Sequence, residues 1–433
     1  MKTKYIILLA IFFLAVVKYF RFLSVSPFEA DQEYLALSAD EILHGKLTLI
    51  GAPTSVGGMF ISPLYNYLVA FLMFVFKGSP LVINTLSSIW AVATIMALYF
   101  VGKKFFSDMA GIFSAILALF SSKFLLIADN PPLVSLLPLL VLTSLYISTK
   151  PKSLARNAAL GLLVGLALNS HFSGVYLLPL ILTEGIHGIV FMILPIVPLI
   201  LFEARHNWFI TGNAIRFMTD HSGAPTGIWH RLNAFISSQA QIFQTDGINL
   251  LLMAVVVLVI FWMIRRKAKI NRWFAGSFFL PLIFFLIYPG QLLPYYAAIA
   301  WPSFLLVAGD LLSKAFDKSS FIRIGILIIM VFFGLSQTKI WSQFSAGRGV
   351  DKKLAALRYI KSSAGDSKYY FSKTIEPAAD SGFTYLTKYV GINSTGNISD
   401  MTYTIVAPFN WQGIQPDVRF GDFGIVLPKN KNQ

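Results

Sequence analysis

The chain has 433 residues, of which 56% are hydrophobic and only 13% are charged, and its formal net charge is +15. Soluble domains carry about 25% charged residues, so the composition excludes a water-soluble enzyme, a disordered chain and a collagen-like fibre. The apolar runs are continuous rather than alternating, which disfavours a β-barrel, and the absence of cysteine excludes disulfides and thiolate chemistry. These features predict an all-α polytopic membrane protein whose positive charge lies mainly in cytoplasmic loops.

Apolar runs recur up to residue 340, and a helix needs ~20 such residues to cross the hydrocarbon core. The candidate spans are 5–23, 81–101, 108–127, 131–149, 248–264, 274–289, 294–312 and 322–340. A longer run, 157–202, is interrupted around His171 and Glu184, which predicts three helices there. The pattern predicts about eleven transmembrane helices, the first of them an uncleaved signal anchor.

Segment 63–76 is apolar but only about 14 residues long, which is below the spanning length. If it does not cross, every short and strongly basic loop lies on the same side as Lys2 and Lys4, as the positive-inside rule requires. We therefore expect 63–76 to form an interfacial helix on the outer face. The N-terminus is then cytoplasmic, the C-terminus is extracytoplasmic, and a further outer loop lies near 204–247.

The last part of the chain, 341–433, contains no apolar run long enough to span. Its patterning predicts a helix at 354–360 and short strands at 369–371, 403–406 and 424–427. The sequence thus predicts a transmembrane domain, 1–340, whose first outer loop, 24–80, is the candidate catalytic loop. A small extracytoplasmic α/β domain follows at 341–433.

Carboxylates cluster in the first outer loop, just beyond the first span. They are Glu29, Asp31, Glu33, Asp40 and Glu41. A solvated helix with acidic residues near its N-terminus, where the macrodipole favours them, is the structural alternative. A glycine-containing stretch at 51–58, which we expect to be flexible, and the tripeptide 63–65 (Pro-Leu-Tyr) follow the acidic motif and favour a functional role.

This order of motifs resembles the C-type (GT-C) glycosyltransferase superfamily, in particular its branch of protein O-mannosyltransferases and lipid A aminoarabinose transferases. The resemblance extends over roughly residues 1–310. Its later elements are Asp129 in the second outer turn, His171 in a Ser-His-Phe-Ser-Gly stretch, the segment 202–206 (Phe-Glu-Ala-Arg-His) after a proline-rich span, and the Tyr295-Tyr296 pair before a late span.

The resemblance implies a GT-C-like fold and transfer of a sugar from a polyprenyl phosphate to an acceptor hydroxyl. The acceptor is a glycan, lipid or protein at the outer face of the plasma membrane, among membrane lipids, and nucleic acid is not a partner. A positioned carboxylate suits the general base that the hydroxyl needs. The resemblance assigns that role to Asp31 beside Asp129, while Glu33 either supports Asp31 or is itself the base.

The leaving group in such a reaction is a lipid phosphate, whose developing charge needs cations or preorganised donors. Arg205 is the best candidate, because its planar fork suits phosphate, and His171 and Lys123 are weaker ones. Each has a structural alternative. Lys123 is then a lysine at a helix end that extends its ammonium to the membrane interface, and His171 forms a hydrogen bond between packed helices. The substrate loops are implied to contain Pro63, Tyr65, Tyr295 and Tyr296.

Two departures from the family pattern bear on the site. Gln32 separates Asp31 from Glu33, whereas many relatives carry adjacent Asp and Glu. Residues 60–62 (Phe-Ile-Ser) stand where aminoarabinose transferases place a metal-binding Glu, so no metal site is assigned and a divalent metal is disfavoured. His206, and His221 beside Asp220, are the remaining candidate ligands, but exposed loop histidines are the favoured interpretation.

A secondary transporter or lipid flippase is the main alternative function. Transporters place ionisable groups near the bilayer midplane on broken helices and often contain inverted repeats. In this chain most candidate residues lie in outer loops or at helix ends, and no repeat is evident. The sequence therefore favours an enzyme that works at the membrane interface.

Overall fold

The computed structural model describes residues 2–21, 23–121, 132–219, 227–243, 261, 271–288, 290, 292–344, 347–377, 380–394 and 401–428. The predicted span 248–264 and the candidate residues Lys123, Asp129, Asp220 and His221 lie outside these ranges. The chain divides into two compact units. The helical unit comprises Met1–Tyr19, Leu47–Asn66 and Ser87–Lys339, and the mixed unit comprises Phe20–Lys46, Tyr67–Leu86 and Ile340–Gln433.

Helices dominate the described residues. The α-helices are α1 (Lys2–Arg21), α2 (Ala30–Leu43), α3 (Leu64–Val75), α4 (Leu81–Phe105), α5 (Asp108–Phe120), α6 (Leu137–Ser148), α7 (Leu154–Ser170), α8 (Leu178–Leu182), α9 (Ile186–Ile193), α10 (Val197–Arg205), α11 (Phe209–Thr219), α12 (Ile228–Ala240), α13 (Arg272–Ile287), α14 (Trp301–Phe316), α15 (Ser320–Phe344), α16 (Val350–Ala364) and α17 (Phe383–Val390). Short 3₁₀ segments lie at Pro132–Leu136, Phe172–Leu177, Leu194–Ile196, Gln241–Phe243, Pro294–Ala297 and Trp411–Gly413.

Three helical stretches among the described residues are long and apolar enough to cross a membrane, namely Leu81–Phe105, Ile186–Arg205 and Ser320–Gln337. Shorter apolar helical stretches are Leu64–Val75, Asp108–Phe120, Pro132–Ser148, Leu154–Ser170, Phe172–Leu182 and Arg272–Ile287. The helical membrane architecture is thus supported, whereas the number of eleven spans is not confirmed.

The run 157–202 folds into three helical stretches, as its interruptions predict. The first break is at His171, whose backbone is extended (φ −164°) between α7 and the 3₁₀ segment Phe172–Leu177. The second is at Gly185, whose φ of +79° is a conformation that side-chain-bearing residues rarely adopt. Both positions were correctly identified from the polar and glycine residues in the run.

Helices α1 and α4 are antiparallel in the helical unit. Lys4 near the start of α1 forms an ion pair with Asp108 (3.3 Å), just beyond the end of α4. Near the other end of α1, the Tyr19 carbonyl accepts a hydrogen bond from Ser88 of α4 (3.4 Å). The chain between the two helices therefore begins and ends at the same end of the bundle, which agrees with a segment 63–76 that does not cross.

Several basic segments among the described residues of the helical unit gather at one end of its bundle. Ser107 hydrogen bonds with Ser313 (3.2 Å), and the rings of Phe105 and Phe274 lie 5.3 Å apart. Residues 103–108, 271–274 and 313–314 therefore lie together with Lys4. Which membrane face this end occupies stays a prediction.

Lys18 shows why a charge is tolerated near the end of the first apolar run. Its side chain is buried, and its ammonium donates to the carbonyls of Leu119 (2.6 Å) and Ser121 (2.9 Å) at the end of α5. The last carbonyls of a helix have no partner within the helix, and cations are favoured there. Lys18 therefore caps α5 and fixes it against α1.

The mixed unit contains a four-stranded sheet with strand order β1-β2-β4-β3. The strands are β1 (Tyr369–Ile375), β2 (Met401–Ala407), β3 (Val418–Phe420) and β4 (Phe423–Val426). Strands β1 and β2 are parallel with Tyr369 opposite Met401, and β4 is antiparallel to both β2 and β3. The sequence predicted the sites of α16, β1 and β2 but underestimated their lengths, it placed β4 one residue late, and it missed α17 and β3.

Candidate active site

The helical unit encloses a cavity of about 340 Å³. Its wall is largely apolar and aromatic, formed by Val56, Met59, Phe172, Val175, Ala214, Phe217, Met218, Phe284 and Ile287. Polar groups come from Thr54, Ser55, His171, Ser173, Tyr176, Tyr288 and Tyr296. Sites for small molecules and cofactors are typically apolar cavities of this size with a few polar groups that fix orientation. The chemistry of the wall suits an apolar ligand with a polar head.

One wall of the cavity is a hairpin over residues 51–61. The Gly51 and Ile61 backbone amides donate to the carbonyls of Ile61 (2.7 Å) and Ala52 (3.1 Å), and the Thr54 amide donates to Met59 (2.9 Å). The structure therefore shows a hydrogen-bonded hairpin where the sequence suggested only a flexible stretch. Its tip brings Thr54, Ser55 and Val56 to the cavity.

Helix α11 forms another wall and was not predicted within the outer loop 204–247. Ala214 and Phe217 face the cavity, whereas the intervening Ile215 is 58% exposed. Asn213 donates to the Gly58 carbonyl (3.2 Å) and so joins α11 to the hairpin. The apolar residues at 209–210, 214–215 and 217–218, which recur with a helical period, were the signal that could have revealed this helix.

His171 lies at the break between α7 and the following 3₁₀ segment and contributes to the cavity wall. Its Nδ1 accepts a hydrogen bond from the Ser173 backbone amide (3.1 Å). A backbone amide only donates, so Nδ1 holds a lone pair and the ring is neutral with its proton on Nε2. The sequence proposed His171 as a helper at the lipid phosphate, and the geometry makes it a neutral hydrogen-bond donor rather than a cation.

Tyr295 and Tyr296 flank His171, with both ring centroids 5.5 Å from the imidazole. The Tyr296 hydroxyl is 2.6 Å from the Ser55 hydroxyl at the hairpin tip. The two tyrosines proposed as substrate-loop residues are therefore next to the cavity, and Tyr296 lines it. Pro63 and Tyr65 are instead buried at the start of α3, and neither lines the cavity.

Arg205 is the last residue of α10 and is exposed. Its guanidinium forms no hydrogen bond or ion pair with the described residues and is free to bind an anion, although Arg205 does not line the cavity. The neighbouring Glu203 is buried and accepts hydrogen bonds from the backbone amides of Ile210 (2.7 Å) and Thr211 (2.8 Å). Glu203 therefore caps α11 and is not available to a substrate.

The acidic motif forms the first turn of α2 in the mixed unit. The Glu29 backbone amide donates to the Gln32 side-chain oxygen (3.0 Å), and the Glu29 carboxylate in return accepts a hydrogen bond from the Gln32 backbone amide. This reciprocal arrangement is a capping box, which satisfies two amides at the helix start. Gln32 is fully buried. The departure from adjacent Asp and Glu thus has a structural role in starting the helix.

Most carboxylates of the motif have partners within the mixed unit. Glu33 accepts from the backbone amides of Gly382 (2.9 Å) and Tyr385 (3.1 Å). Asp40 pairs with Lys388, and Glu41 pairs with Lys46 (2.8 Å). Together with Glu29 in the capping box, four of the five carboxylates are occupied.

Asp31 is the exception. Its side chain is exposed, and it accepts no hydrogen bond and has no ion-pair partner among the described residues. The surrounding protein partly desolvates its carboxyl and the Glu29 carboxylate lies nearby, and both effects raise the pKa of Asp31 above its ordinary value. Asp31 is therefore a free carboxylate whose basicity is increased.

No group of three or more His, Asp or Glu side chains that could hold a metal ion occurs within the described part of the chain. The His206 ring stacks on Phe202 at a centroid distance of 4.0 Å. Its Nδ1 is 2.8 Å from the Phe202 carbonyl. Asp220 and His221 lie outside the described ranges.

Comparison with known proteins agrees with this architecture. Residues 61–195 match the family model of dolichyl-phosphate-mannose-protein mannosyltransferases, whereas a search of curated protein sequences finds no match. The structure is similar to ArnT from Cupriavidus metallidurans bound to undecaprenyl phosphate (TM-score 0.60, 11% identity, 97% of each chain covered). It is also similar to the oligosaccharyltransferase AglB from Archaeoglobus fulgidus in complex with an inhibitory peptide and a dolichol-phosphate (TM-score 0.52, 11% identity, 93% of this chain and 69% of that chain covered).

Proposed function

We propose that this chain, which has the fold of the GT-C superfamily of membrane glycosyltransferases, transfers a sugar from a polyprenyl phosphate to an acceptor hydroxyl. The reaction takes place on the extracytoplasmic face of the membrane. The observation that carries the proposal is Asp31, a free carboxylate of raised pKa in a motif whose other carboxylates are paired.

In the proposed reaction Asp31 acts as the general base. Its carboxylate takes the proton of the acceptor hydroxyl while the hydroxyl oxygen bonds to the anomeric carbon. The bond from that carbon to the phosphate oxygen breaks, and polyprenyl phosphate leaves with the electron pair. A base is most effective when its pKa approaches the working pH, so the raised pKa of Asp31 favours this role over that of an ordinary exposed aspartate.

The cavity of the helical unit is the proposed donor site. Its apolar wall suits the first isoprene units of a polyprenyl chain, and the Nε2–H of His171 and the hydroxyl of Tyr296 supply neutral donors. The free guanidinium of Arg205 is proposed to bind the phosphate, for which its planar fork is suited. Structures of this fold with undecaprenyl phosphate and dolichol-phosphate support a lipid-phosphate donor. Asp129 and Lys123 keep their proposed roles beside Asp31 and the phosphate.

The alternative function is transport of a lipid or solute. It requires an ionisable group that changes its charge inside the bundle. The buried Glu184 of the helical unit is instead paired with Arg156 (2.5 Å) and with Arg272, and Trp273 also donates to it. These partners favour a fixed structural ion cluster over a transport site.

The direct test is incubation of the purified protein with a panel of polyprenyl-phosphate sugars and candidate glycan, lipid and peptide acceptors. With one donor of the panel we expect release of free polyprenyl phosphate, and this release should require the acceptor. We expect no turnover when a nucleotide-sugar replaces the lipid-linked donor. Turnover with a nucleotide-sugar and no lipid carrier would contradict the mechanism. Translocation of the intact lipid-linked sugar without cleavage would favour the transporter.

A tryptophan at position 214 tests the assignment of the cavity. Ala214→Trp places an indole in a cavity of about 340 Å³. We therefore expect the KM for the lipid donor to rise about tenfold or more, which corresponds to a loss of ~1.4 kcal/mol of binding free energy. The matched control is Ile215→Trp, which puts the same side chain on the exposed face of the same helix. Titration with the donor measures the KM of both variants, and equal KM values would contradict the assignment of the donor to this cavity.

A further inference from the structure

Segments before and after Asp31 are held by residues from the C-terminal part of the mixed unit. The Glu33 carboxylate accepts from the amides of Gly382 (2.9 Å) and Tyr385 (3.1 Å), which open helix α17. Free amides at a helix start and the positive end of its dipole both favour a carboxylate. Glu33 thus joins the first turn of α2 to α17, two residues beyond Asp31.

Lys353 of α16 holds the chain on the other side of Asp31. Only 2% of this residue is exposed, and its ammonium donates to the carbonyls of Phe28 (2.9 Å) and Ser381 (2.7 Å). The charge also lies 5.0 Å from the Phe383 ring centroid, a favourable cation–π distance. Burial lowers the pKa of Lys353 to about 8, and the charges of Glu29 and Glu33 oppose this shift. Lys353 therefore stays mainly protonated at neutral pH.

The packing at this junction is close. Gly382 has a φ of +90°, and a Cβ atom there would collide with the Phe28 carbonyl. The Tyr385 hydroxyl donates to the Gly78 carbonyl (2.5 Å). The backbone on both sides of Asp31 is therefore packed closely against residues of α16 and α17.

We infer that Glu33 and Lys353 are positioning residues that clamp the acidic helix α2 against α16 and α17 and thereby hold Asp31 in its reactive position. The inference rests on the proposed function and assigns a role to the C-terminal part of the chain. It also separates the two acidic candidates, because Glu33 then acts through Asp31 and does not itself take the proton. A misplacement of about 1 Å can cost 10²-fold in rate, so loss of either clamp residue should affect catalysis more than donor binding.

The test compares Glu33→Gln and Lys353→Met with the control Glu41→Gln, an exposed carboxylate of the same helix that pairs with the exposed Lys46. We expect both clamp variants to lower kcat about 10- to 100-fold per folded molecule, with the donor KM within about twofold of the original. The acid limb of their pH–kcat profiles should also move, because Asp31 changes its surroundings. The control should change neither quantity. Unchanged kcat and pH profile in folded clamp variants would overturn the inference.

Two further variants separate the clamp from a direct role of Glu33. If Glu33 acts through Asp31, the double variant Asp31→Asn/Glu33→Gln should be no slower than Asp31→Asn alone, because coupled residues are not additive. If Glu33 is itself the base, Glu33→Gln should be as slow as Asp31→Asn, and Lys353→Met should keep its kcat. The clamp would be contradicted if Glu33→Gln were as slow as Asp31→Asn, or if Lys353→Met kept its kcat.

Hydrogen–deuterium exchange keeps the clamp testable even if the proposed function fails. Failure of the function would appear in the unaltered protein, which would release no polyprenyl phosphate from any donor. The clamp predicts faster amide exchange in α2 (Ala30–Leu43) for Glu33→Gln and Lys353→Met but not for Glu41→Gln. Equal exchange in all of these proteins would overturn the clamp independently of any activity.

Discussion

Asp31→Asn is expected to lower turnover by about 10²–10⁴-fold, the usual contribution of a general base. The amide has nearly the shape of the carboxylate but cannot accept the proton, so folding and donor affinity should remain close to those of the original protein. The Asp31 carboxylate makes no hydrogen bond or ion pair with the described residues. Its replacement therefore leaves no partner unsatisfied among them. Near-original turnover in the Asn variant would remove Asp31 from the base role.

The pH dependence of the reaction provides a second measurement of the same role. The pKa of Asp31 is raised, first by partial desolvation and then by Glu29. The carboxylate is the active form, so kcat/KM should fall as the pH decreases through a pKa above the ordinary value of about 3.9 for aspartate. This acid limb should be absent from the residual activity of Asp31→Asn. Its persistence there would assign the limb to another group.

The acidic motif shows where sequence reasoning succeeds and where it stops. The helix with acidic residues near its N-terminus, which the sequence offered as the structural alternative, is present as α2, with Asp31 and Glu33 in its first turn. Local signals could not separate Asp31 from Glu33, because the partners of Glu33 lie 349 and 352 residues further along the chain. Only the folded structure shows that the Glu33 carboxylate is occupied.

The cavity shows a similar division. The break at His171 and the Tyr295-Tyr296 pair were identified from the sequence, and the structure brings them within ring contact. The tautomer of His171 depends on the Ser173 backbone amide, which no residue pattern specifies. The wall formed by α11 was missed because a helix of 11 residues is too short to span a membrane and its segment was read as part of a loop, although its apolar residues follow a helical period.

Glu184 is an example of a buried carboxylate in an apolar run, whose residue type suggests function while its contacts indicate structure. An ionisable residue in an apolar segment is by default a functional candidate. Here the Glu184 side chain is fully buried. It pairs with Arg156 and Arg272 and accepts a hydrogen bond from the Trp273 indole N–H. It therefore joins the starts of α7 and α13 to the end of α8 by charge and hydrogen bonds. Removal of one partner from such a cluster leaves a buried charge without compensation.

We therefore expect Glu184→Gln to lower the free energy of unfolding by about 3–5 kcal/mol, because the Arg156 side chain is only 6% exposed and keeps its charge. The matched control is Glu203→Gln, a second buried glutamate whose partners among the described residues are backbone amides and a hydroxyl rather than a cation. Its loss of stability should be smaller. Thermal and denaturant unfolding in detergent would measure both changes.

The same variant separates the two functions by its effect on activity. Arg156 and His171 stand about 22 Å apart along α7 at 1.5 Å per residue, so the cluster around Glu184 is remote from the cavity. Folded Glu184→Gln protein should consequently transfer sugar with an unchanged kcat. A transporter that uses Glu184 as its titrating group predicts the reverse, with intact stability and abolished activity. Since a carboxylate held by two arginines and an indole is stabilised in its charged form, the structure favours the first outcome, and the second would return the transporter to the leading position.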